Sequence, residues 1–310
     1  MPARAKNWNS ASIALLPPTL RAQVIASLTE AEAAELLSDW RFWARPEQIA
    51  PAGDWRIWVF LAGRGAGKTR AGAEWIAEGV RRGTMAHVGL IGASYADVRA
   101  VMVEGESGLK AVCPSAVYQP ANRRVRIGRA VLQLISADEP DAVRGYQFDA
   151  LWADEFCKWP DPKAALDMAL MALRLGAQPR MLITTTPRPI KALTDLLAEP
   201  DVVVSRCATA ANVANLAPGF LTGLERRYGG SALARQELGG EIIADNKNAL
   251  WQRGLIEAAR VARAPELIRV VVAVDPPASI GRDECGIVVA GLGADGALYV
   301  LADLSAGGLS

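Results

Sequence analysis

The chain has 310 residues, which is enough for two domains with a sizeable core. Its composition, 51% hydrophobic and 22% charged, excludes a disordered or collagen-like chain. Lysine and arginine number 34 against 33 aspartate and glutamate, so the net charge is +1 and any contact with nucleic acid must be local.

The sequence carries no pattern for secretion or for membrane insertion. No apolar run reaches the roughly 18 residues of a membrane-spanning helix, and residues 1–10 lack an apolar core followed by a cleavage site. The 4 cysteines lie far apart without a CxxC pair, which favours reduced thiols over a zinc site or a disulfide framework. We therefore expect a cytoplasmic protein that makes no membrane contact.

The first elements in chain order are predicted from hydrophobic periodicity. Residues 1–45 form an N-terminal helical segment, in which a capping box at Thr29 and Glu32 precedes a helix over Ala31–Trp43. Residues 46–200 alternate apolar strand runs with helical runs, which is typical of an α/β domain with a mainly parallel sheet flanked by helices. The predicted strands are Trp58–Ala62, His87–Gly92, Val131–Ser136, Ala150–Ala153 and Met181–Thr185, and the predicted helices are Lys68–Arg81 and Pro162–Leu175.

The C-terminal third changes character. Residues 201–264 are polar and in places glycine-rich, and we expect a helical tail and linker with a helix over Phe220–Leu238. Residues 265–310 read as the first strands of a second domain, and the predicted strands are Arg269–Val274, Ile287–Leu292 and Ala297–Ala302. The last two flank an Asp-Gly turn, which indicates a hairpin.

A glycine-rich loop connects the first predicted strand of the α/β region to its first helix. The residues are Gly63, Arg64, Gly65, Ala66, Gly67, Lys68 and Thr69. Backbone N–H groups of such a loop, together with the helix N-terminus, attract phosphate oxygens. The Lys68 amine can reach the β- and γ-phosphates of ATP, and the Thr69 hydroxyl can bind Mg²⁺. Arg64 either contacts the γ-phosphate or is a solvated loop arginine, and the sequence does not decide between them.

Two carboxylates, Asp154 and Glu155, end the apolar strand at Ala150–Ala153. In a P-loop enzyme this placement lets Asp154 hold the magnesium ion while Glu155 orients and deprotonates the attacking water. The two tasks need different residues, because a carboxylate engaged with a metal is a poor base.

Other polar residues are weaker candidates. Thr184, Thr185 and Thr186 end another strand and can sense the γ-phosphate and couple its state to movement, or they simply favour β structure. Gln48 can read the adenine edge or lie on the surface. Arg144 can act as an arginine finger, in its own subunit or a neighbouring one, or can be an ordinary surface arginine.

These residues together resemble one family, the large terminase subunit of tailed bacteriophages and gene transfer agents. The matching pieces are Arg45-Pro46-Glu47-Gln48, the loop from Gly63 to Thr69 with Arg70–Trp75 behind it, Val103–Gly108, Arg144-Gly145, Trp152–Glu155 with Lys158-Trp159, and Thr184–Pro187. The resemblance runs from about residue 40 to the C-terminus.

The resemblance implies an ATPase that moves double-stranded DNA into a procapsid, as a ring of subunits on the portal protein and together with a small terminase subunit. By position, Arg144 lies where the family is thought to place an arginine that acts across subunits. A C-terminal RNase H-like nuclease using Mg²⁺ or Mn²⁺ is also implied, and Asp275 matches its first metal-binding carboxylate. Two-metal hydrolysis needs further acids, which the family places beyond position 310, so we expect this chain to lack nuclease activity.

Two alternatives remain open from the sequence. One is a helicase-like P-loop ATPase that remodels nucleic acid. The other is a nucleotide-gated assembly module that docks on a portal and hydrolyses ATP poorly by itself. Two runs of arginine, at 123–129 and at Arg226-Arg227, are either DNA contacts or solvated surface.

Overall fold

The computed structural model describes residues 9–229, 231–243, 251, 253–276 and 284–307. The protein chain divides into two compact units, residues 1–244 and 245–310. The helices are α1 (Ser10–Ala14), α2 (Pro18–Ala26), α3 (Glu30–Ser38), α4 (Trp40–Trp43), α5 (Lys68–Arg81), α6 (Tyr95–Asp97), α7 (Leu109–Val112), α8 (Pro162–Ala172), α9 (Lys191–Leu196), α10 (Phe220–Tyr228), α11 (Ala232–Glu237) and α12 (Arg253–Ala258). The strands are β1 (Ile57–Ala62), β2 (His87–Gly92), β3 (Val117–Gln119), β4 (Arg124–Ile127), β5 (Ala130–Ser136), β6 (Ala150–Asp154), β7 (Arg180–Thr185), β8 (Val202–Cys207), β9 (Leu267–Asp275), β10 (Glu284–Gly293), β11 (Leu298–Asp303) and β12 (Ala306–Gly307).

The first unit is built on an eight-stranded sheet in the order β3-β4-β5-β2-β6-β7-β1-β8. Strands β5, β2, β6, β7, β1 and β8 pair in parallel, while β3 and β4 form an antiparallel edge beside β5. This arrangement confirms the predicted α/β class with a mainly parallel sheet. The five strands predicted for residues 46–200 are all present, within one residue at each end.

The central strands are buried on both faces. Along β1, Trp58 and Phe60 pack into one hydrophobic cluster with residues of α5, and Val59 and Leu61 pack into the other with residues of α8 and α9. Alternate side chains of a strand point to opposite faces of the sheet, so a strand with helices on both sides must be apolar at every position. This explains the unbroken apolar runs in the sequence.

Several elements differ from the sequence-based expectation. Val202–Cys207, which we placed in a helical tail, is a strand that pairs in parallel with β1 at the edge of the sheet. This strand is half-buried and contains polar residues, so its sequence lacks the long apolar run by which the central strands were predicted. The helix predicted over Phe220–Leu238 is two helices, because Gly229 ends the first and Ser231 caps the second. The helix predicted over Ala31–Trp43 is likewise two, since Asp39 is the N-cap of a new turn.

The second unit contains an antiparallel sheet in which β10 lies between β9 and β11. The predicted hairpin is confirmed: the Gly293 N–H donates to Ala297 O over 2.9 Å, and Gly296 adopts a φ of +79° in the turn. No helix among the described residues combines the length and the apolar character needed to cross a membrane.

Candidate nucleotide-binding site

Three predicted site segments meet at one edge of the sheet. The order β6-β7-β1 places these strands side by side and in parallel. The loop Gly63–Thr69 follows β1, Asp154 ends β6, and Thr184–Thr186 end β7. In the register, Asp154 lies opposite Thr184. The carboxyl edge of a parallel sheet is where ligands bind in open α/β folds.

The loop after β1 needs its glycines for backbone geometry and for space. Gly65 and Gly67 have φ angles of +71° and +83°, which other residues adopt at a cost. A Cβ on Gly67 would lie 2.5 Å from Gln48 Nε2, and one on Gly63 would lie 2.5 Å from Leu238 O. Gly67 is also the N-cap of α5, so the loop leads directly into the helix N-terminus.

Lys68 is the central cation of the site. Its side chain is only 7% exposed, and Nζ donates to Ala62 O at 3.1 Å, Gly63 O at 3.2 Å and Thr186 Oγ1 at 3.0 Å. Burial lowers the pKa of Lys68, while the charges of Glu155 and Asp154 oppose that shift. Three acceptors thus hold the amine in a position from which it can transfer to phosphate oxygens.

Asp154 is a buried carboxylate with a perturbed pKa. Burial, followed by the charge of Glu155, raises the pKa of Asp154 from 3.8 to about 6. The Thr184 hydroxyl opposes this shift by donating to Asp154 Oδ1 over 2.6 Å, and the same Oγ1 accepts the Trp152 Nε1–H over 3.0 Å. A buried acid that an opposite charge would stabilise is a favourable ligand for a divalent cation.

Glu155 lies between two lysines at the end of β6. Its Oε1 is 3.7 Å from Lys68 Nζ, and its Oε2 is 3.6 Å from Lys158 Nζ. The residue adopts a left-handed conformation with φ +51°, which costs free energy in a non-glycine residue and is found preferentially at functional sites. Lys158 had no predicted role in the site, although it belongs to the sequence pieces that carry the family resemblance.

The three threonines make different contacts. Thr184 binds Asp154, as described above. Thr185 Oγ1 accepts the Cys157 N–H over 3.0 Å, in the turn that follows Glu155. Thr186 Oγ1 accepts from Lys68, and its N–H donates to Glu155 Oε2 over 3.4 Å. All three are buried and join the acidic strand to the loop, as a coupling role requires; that role itself stays a prediction.

Gln48 is buried against the loop. Its Oε1 accepts the Arg45 N–H over 3.2 Å, and its Nε2 donates to Gly67 O over 3.1 Å. The amide therefore supports the loop, whereas the predicted reading of an adenine edge is not tested by these contacts and stays a prediction.

The two predicted arginines lie in different surroundings. Arg64 is in the loop and pairs with Glu237, with Nε 2.6 Å from Oε2. Burial alone would raise the pKa of Glu237, but the hydrogen bond and charge of Arg64 reverse this and lower it. Arg144 is 69% exposed and pairs with Asp141 over 2.8 Å. Within the described residues its bonds do not join it to the loop, so action on a neighbouring subunit stays a prediction.

Sequence reasoning missed the residues that support the loop from the segment 201–264. Thr209 Oγ1 donates to Arg64 O over 2.7 Å, and Asn212 Nδ2 donates to Gly65 O over 2.6 Å. The Arg64 N–H donates to Glu237 O over 2.7 Å. These residues are about 145 to 173 positions away from the loop in sequence and follow no local motif. Only the pairing of β8 with β1 brings them there.

The predicted metal ligands lie in both units. In the first, the Thr69 hydroxyl at the start of α5 and the Asp154 carboxylate offer the hard oxygen ligands that Mg²⁺ prefers. In the second, Asp275 ends β9. Within the part of the chain that the structure describes, no group of three or more His, Cys, Asp or Glu side chains could hold a metal ion. The predicted nuclease site at Asp275 is therefore not tested by the described residues.

A glycine-rich loop that leads into a helix N-terminus, beside an acidic strand end on a mainly parallel sheet, is the arrangement of the P-loop class of α/β domains. The chain belongs to the terminase large-subunit family: the model described as "Terminase large subunit, T4likevirus-type, N-terminal" matches residues 59–258. This confirms the family resemblance found in the sequence. No curated protein is similar enough in sequence to match.

Solved structures share the fold at low sequence identity. The ATPase domain of the Thermus phage P74-26 large terminase has a TM-score of 0.51 and 17% identity, over 69% of this chain and 98% of that one. A large terminase from a thermophilic bacteriophage, in complex with ADP, has a TM-score of 0.52 and 14% identity, over 88% and 67%. The HK97 bacteriophage large terminase has a TM-score of 0.51 and 14% identity, over 88% and 62%. The described fold is thus that of a terminase ATPase domain.

Proposed function

We propose that this chain is the ATP-hydrolysing motor subunit of a phage-type terminase, which translocates double-stranded DNA into a procapsid. The observation that carries the proposal is the meeting of Lys68, Asp154, Glu155 and Thr186 at the carboxyl edge of adjacent strands. Membership of the terminase family supports it, as does the ADP complex of a terminase with the same fold.

In this proposal the loop binds the phosphates of ATP. Backbone N–H groups and the α5 N-terminus contact the phosphate oxygens, and the Lys68 amine exchanges its present acceptors for the β- and γ-phosphates. Thr69 and Asp154 would hold Mg²⁺, which neutralises phosphate charge. The remaining steps depend on protein side chains alone.

Glu155 is the proposed base. It orients a water molecule and takes its proton as the water oxygen bonds to the γ-phosphorus and the bond to the bridging β–γ oxygen breaks. Lys68 and Lys158 flank the carboxylate at 3.7 Å and 3.6 Å. Arg64, once released from Glu237, can stabilise charge on the transferred phosphoryl group, and Arg144 can do so for a neighbouring subunit.

Thr184, Thr185 and Thr186 are the proposed coupling residues. They connect the metal-binding carboxylate, the turn after Glu155 and the Lys68 amine by direct hydrogen bonds. Loss of the γ-phosphate releases Lys68, and Thr186 is the nearest hydroxyl that can take the amine back. The movement of the amine is in this way transmitted to β7.

The proposed partners are double-stranded DNA, the portal protein and a small terminase subunit, with the motor acting as a ring in the cytoplasm. Arg124 and Arg126 alternate with the buried Val125 and Ile127 along β4, so both arginines face away from the core. Phosphate contacts at this face predict a DNA affinity that falls steeply as salt is raised. A complex insensitive to salt would contradict the assignment.

The proposal for residues 265–310 is the start of a C-terminal nuclease domain. The antiparallel β9, β10 and β11, with Asp275 at the end of the first strand, match the expected start of an RNase H-like domain that uses Mg²⁺ or Mn²⁺. Two-metal cleavage needs acids besides Asp275, so Asp275 by itself is not expected to support cleavage. Where further acids complete the site, Asp275→Asn should abolish cleavage of DNA, and cleavage as fast as before would show that Asp275 has no role in it.

The decisive experiment for the motor is Glu155→Gln. The amide keeps the size of the side chain but cannot accept a proton, so we expect loss of ATP hydrolysis with nucleotide binding retained. Phosphate release with DNA and portal present measures ATP hydrolysis, and titration with a fluorescent ADP measures nucleotide binding. Glu225→Gln, which removes the same charge on the exposed face of α10, is the matched control. Equal hydrolysis in both variants would remove Glu155 from the mechanism.

A further inference from the structure

The carbonyl groups of the phosphate-binding loop all have donors within the protein. Six successive carbonyls are involved, and their donors are Lys68 Nζ for Ala62 and Gly63, Thr209 Oγ1 for Arg64, Asn212 Nδ2 for Gly65, Arg45 Nη2 for Ala66 and Gln48 Nε2 for Gly67. Gly63 O and Gly67 O also accept the backbone N–H groups of Ala66 and Ala71, over 3.2 Å and 3.1 Å. Apart from these and Lys68, the donors are side chains of two separate segments, 45–48 and 209–212. We call the side chains of Arg45, Gln48, Thr209 and Asn212 the carbonyl clamp.

The clamp controls the direction of the N–H groups. A peptide unit is planar and its C=O and N–H point in opposite directions. A donor that holds one carbonyl therefore also directs the N–H of the next residue to the other side. In a loop that binds phosphate through its N–H groups, turning one carbonyl inward would place a partial negative charge against the anion.

Asn212 connects the two halves of this clamp. Its Nδ2 donates to Gly65 O over 2.6 Å, and its Oδ1 accepts Arg45 Nη1 over 2.7 Å. The other arm of Arg45, Nη2, donates to Ala66 O over 2.5 Å. One amide thus orients two successive loop carbonyls, the first directly and the second through Arg45.

The Gly65 carbonyl is the one that most needs an external donor. Gly65 has a φ of +71°, and glycine can rotate its peptide unit more freely than any other residue. Leu216, just after the segment that carries Asn212, lies 2.9 Å through Cδ2 from the position of a Gly65 Cβ. The segment therefore lies closely against the loop, and its one amide contact with Gly65 sets the peptide orientation.

We infer that Asn212 is a positioning residue for nucleotide binding: it holds the Gly65 and Ala66 carbonyls outward so that the loop N–H groups face the phosphates. This inference rests on the proposed nucleotide-binding function of the loop. It extends the site to the segment after β8, which no sequence motif identified.

The test compares Asn212→Ala with Asn215→Ala in the whole protein. Both asparagines lie in the same short helix, but the Asn215 side chain donates to Asn212 Oδ1 over 2.9 Å and, among the described residues, makes no hydrogen bond to the loop. Loss of one hydrogen bond that orients a phosphate contact predicts an ADP dissociation constant about three- to tenfold higher for Asn212→Ala. The KM for ATP should rise by a similar factor with kcat changed less than about twofold. Asn215→Ala should bind fluorescent ADP like the wild type.

Asn212→Asp is a second variant, which tests the inference if Asn212→Ala fails to fold. The carboxylate still accepts from Arg45 but sets an oxygen against Gly65 O in place of the donor, so ADP binding should weaken at least as much as in Asn212→Ala. Ala214→Asp adds the same charge at an exposed position two residues away and controls for simple repulsion of phosphate.

The outcomes separate this inference from the proposed function. If the wild type binds no ADP, the nucleotide-binding function itself is wrong. If the wild type binds ADP and Asn212→Ala binds as tightly as Asn215→Ala, or Asn212→Asp as tightly as Ala214→Asp, the function stands and the positioning role is wrong. An equal fall of kcat with KM unchanged would also contradict it, because positioning in the ground state acts on binding.

Discussion

Gly72 lies in the interior of α5, facing the indole of Trp152 on β6. An alanine Cβ at this position would lie 2.1 Å from Trp152 Cε2, 2.4 Å from Cζ2 and 2.5 Å from Nε1. Trp152 is fully buried, so the ring has no free space to move into. Gly72→Ala is therefore expected to destabilise the protein, although alanine is the better helix former.

The expected change in the unfolding free energy of Gly72→Ala is the sum of two opposing contributions. Replacing glycine by alanine inside a helix contributes about 1 kcal/mol of stability. Restoring ordinary contact distances requires α5 and β6 to separate by roughly 1.5 Å, and a gap of that size forfeits most of the dispersion attraction across the contact. Overpacking of a well-packed core costs about 3 kcal/mol at the upper end of its usual range. The net loss is about 2 kcal/mol, or a fall in Tm of about 4–8 °C for a domain of this size.

Gly223→Ala is the matched control. Gly223 lies in the interior of α10, and its Cβ would have no atom within 4 Å. Here only the helix-propensity term acts, so the variant should gain about 0.5–1 kcal/mol. The same substitution thus has opposite signs at the two sites. Urea unfolding followed by far-ultraviolet circular dichroism measures both.

The site provides a second readout for Gly72→Ala. Trp152 Nε1 donates to Thr184 Oγ1, which donates to Asp154 Oδ1, so a displaced indole disturbs the proposed metal ligand. We expect weaker ATP hydrolysis in Gly72→Ala than in Gly223→Ala. Trp152→Phe makes the ring smaller and removes Cζ2 and the Nε1–H, so the double variant should recover part of the lost stability. If Gly72→Ala is as stable as the wild type, the packing argument is wrong.

Three further outcomes are expected. Gly67→Ala combines φ +83° with a Cβ 2.5 Å from Gln48 Nε2, whereas Gly83→Ala has φ +72° and open space. Gly67→Ala should lose about 1 kcal/mol more unfolding free energy, because Gln48 Nε2 must move and give up its hydrogen bond to Gly67 O, and equal losses would exclude the clash. Asp154→Asn should raise the unfolding free energy of the metal-free protein by up to about 3 kcal/mol above pH 6. The folded protein holds the Asp154 proton more tightly than the unfolded chain does, so the fold is destabilised progressively as pH rises from 3.8 to about 6 and Asp154 ionises. Asparagine does not ionise and avoids this loss. Urea unfolding from pH 4 to 7 in a chelator tests this, and a gain that persists at pH 4 would contradict it. Thr184→Val removes a hydrogen bond that lowers the pKa of Asp154 in the folded protein. In that background the upper end of the pH range should rise while the lower end, set by the unfolded chain, stays; an unchanged upper end would show that the bond is unimportant.

The sequence alone determined the loop, the acidic strand end and the class of fold. These features are local: Gly65 and Gly67 supply turns that only glycine makes easily, and Lys68 follows at fixed spacing at a helix N-terminus. The apolar runs of β1 and β6 predict buried parallel strands, because a strand covered on both faces leaves no position for polar residues.

Only the tertiary structure decided what supports the loop. Asn212, Thr209 and Glu237 reach it because the half-buried β8 pairs with β1, and neither that pairing nor the contacts follow a local pattern. The structure also decided the contacts of Gln48, whose side chain holds the Gly67 carbonyl. Hydrogen bonds between segments distant in sequence depend on the register of strands, which periodicity does not encode, whereas turns and strand ends are set by neighbouring residues.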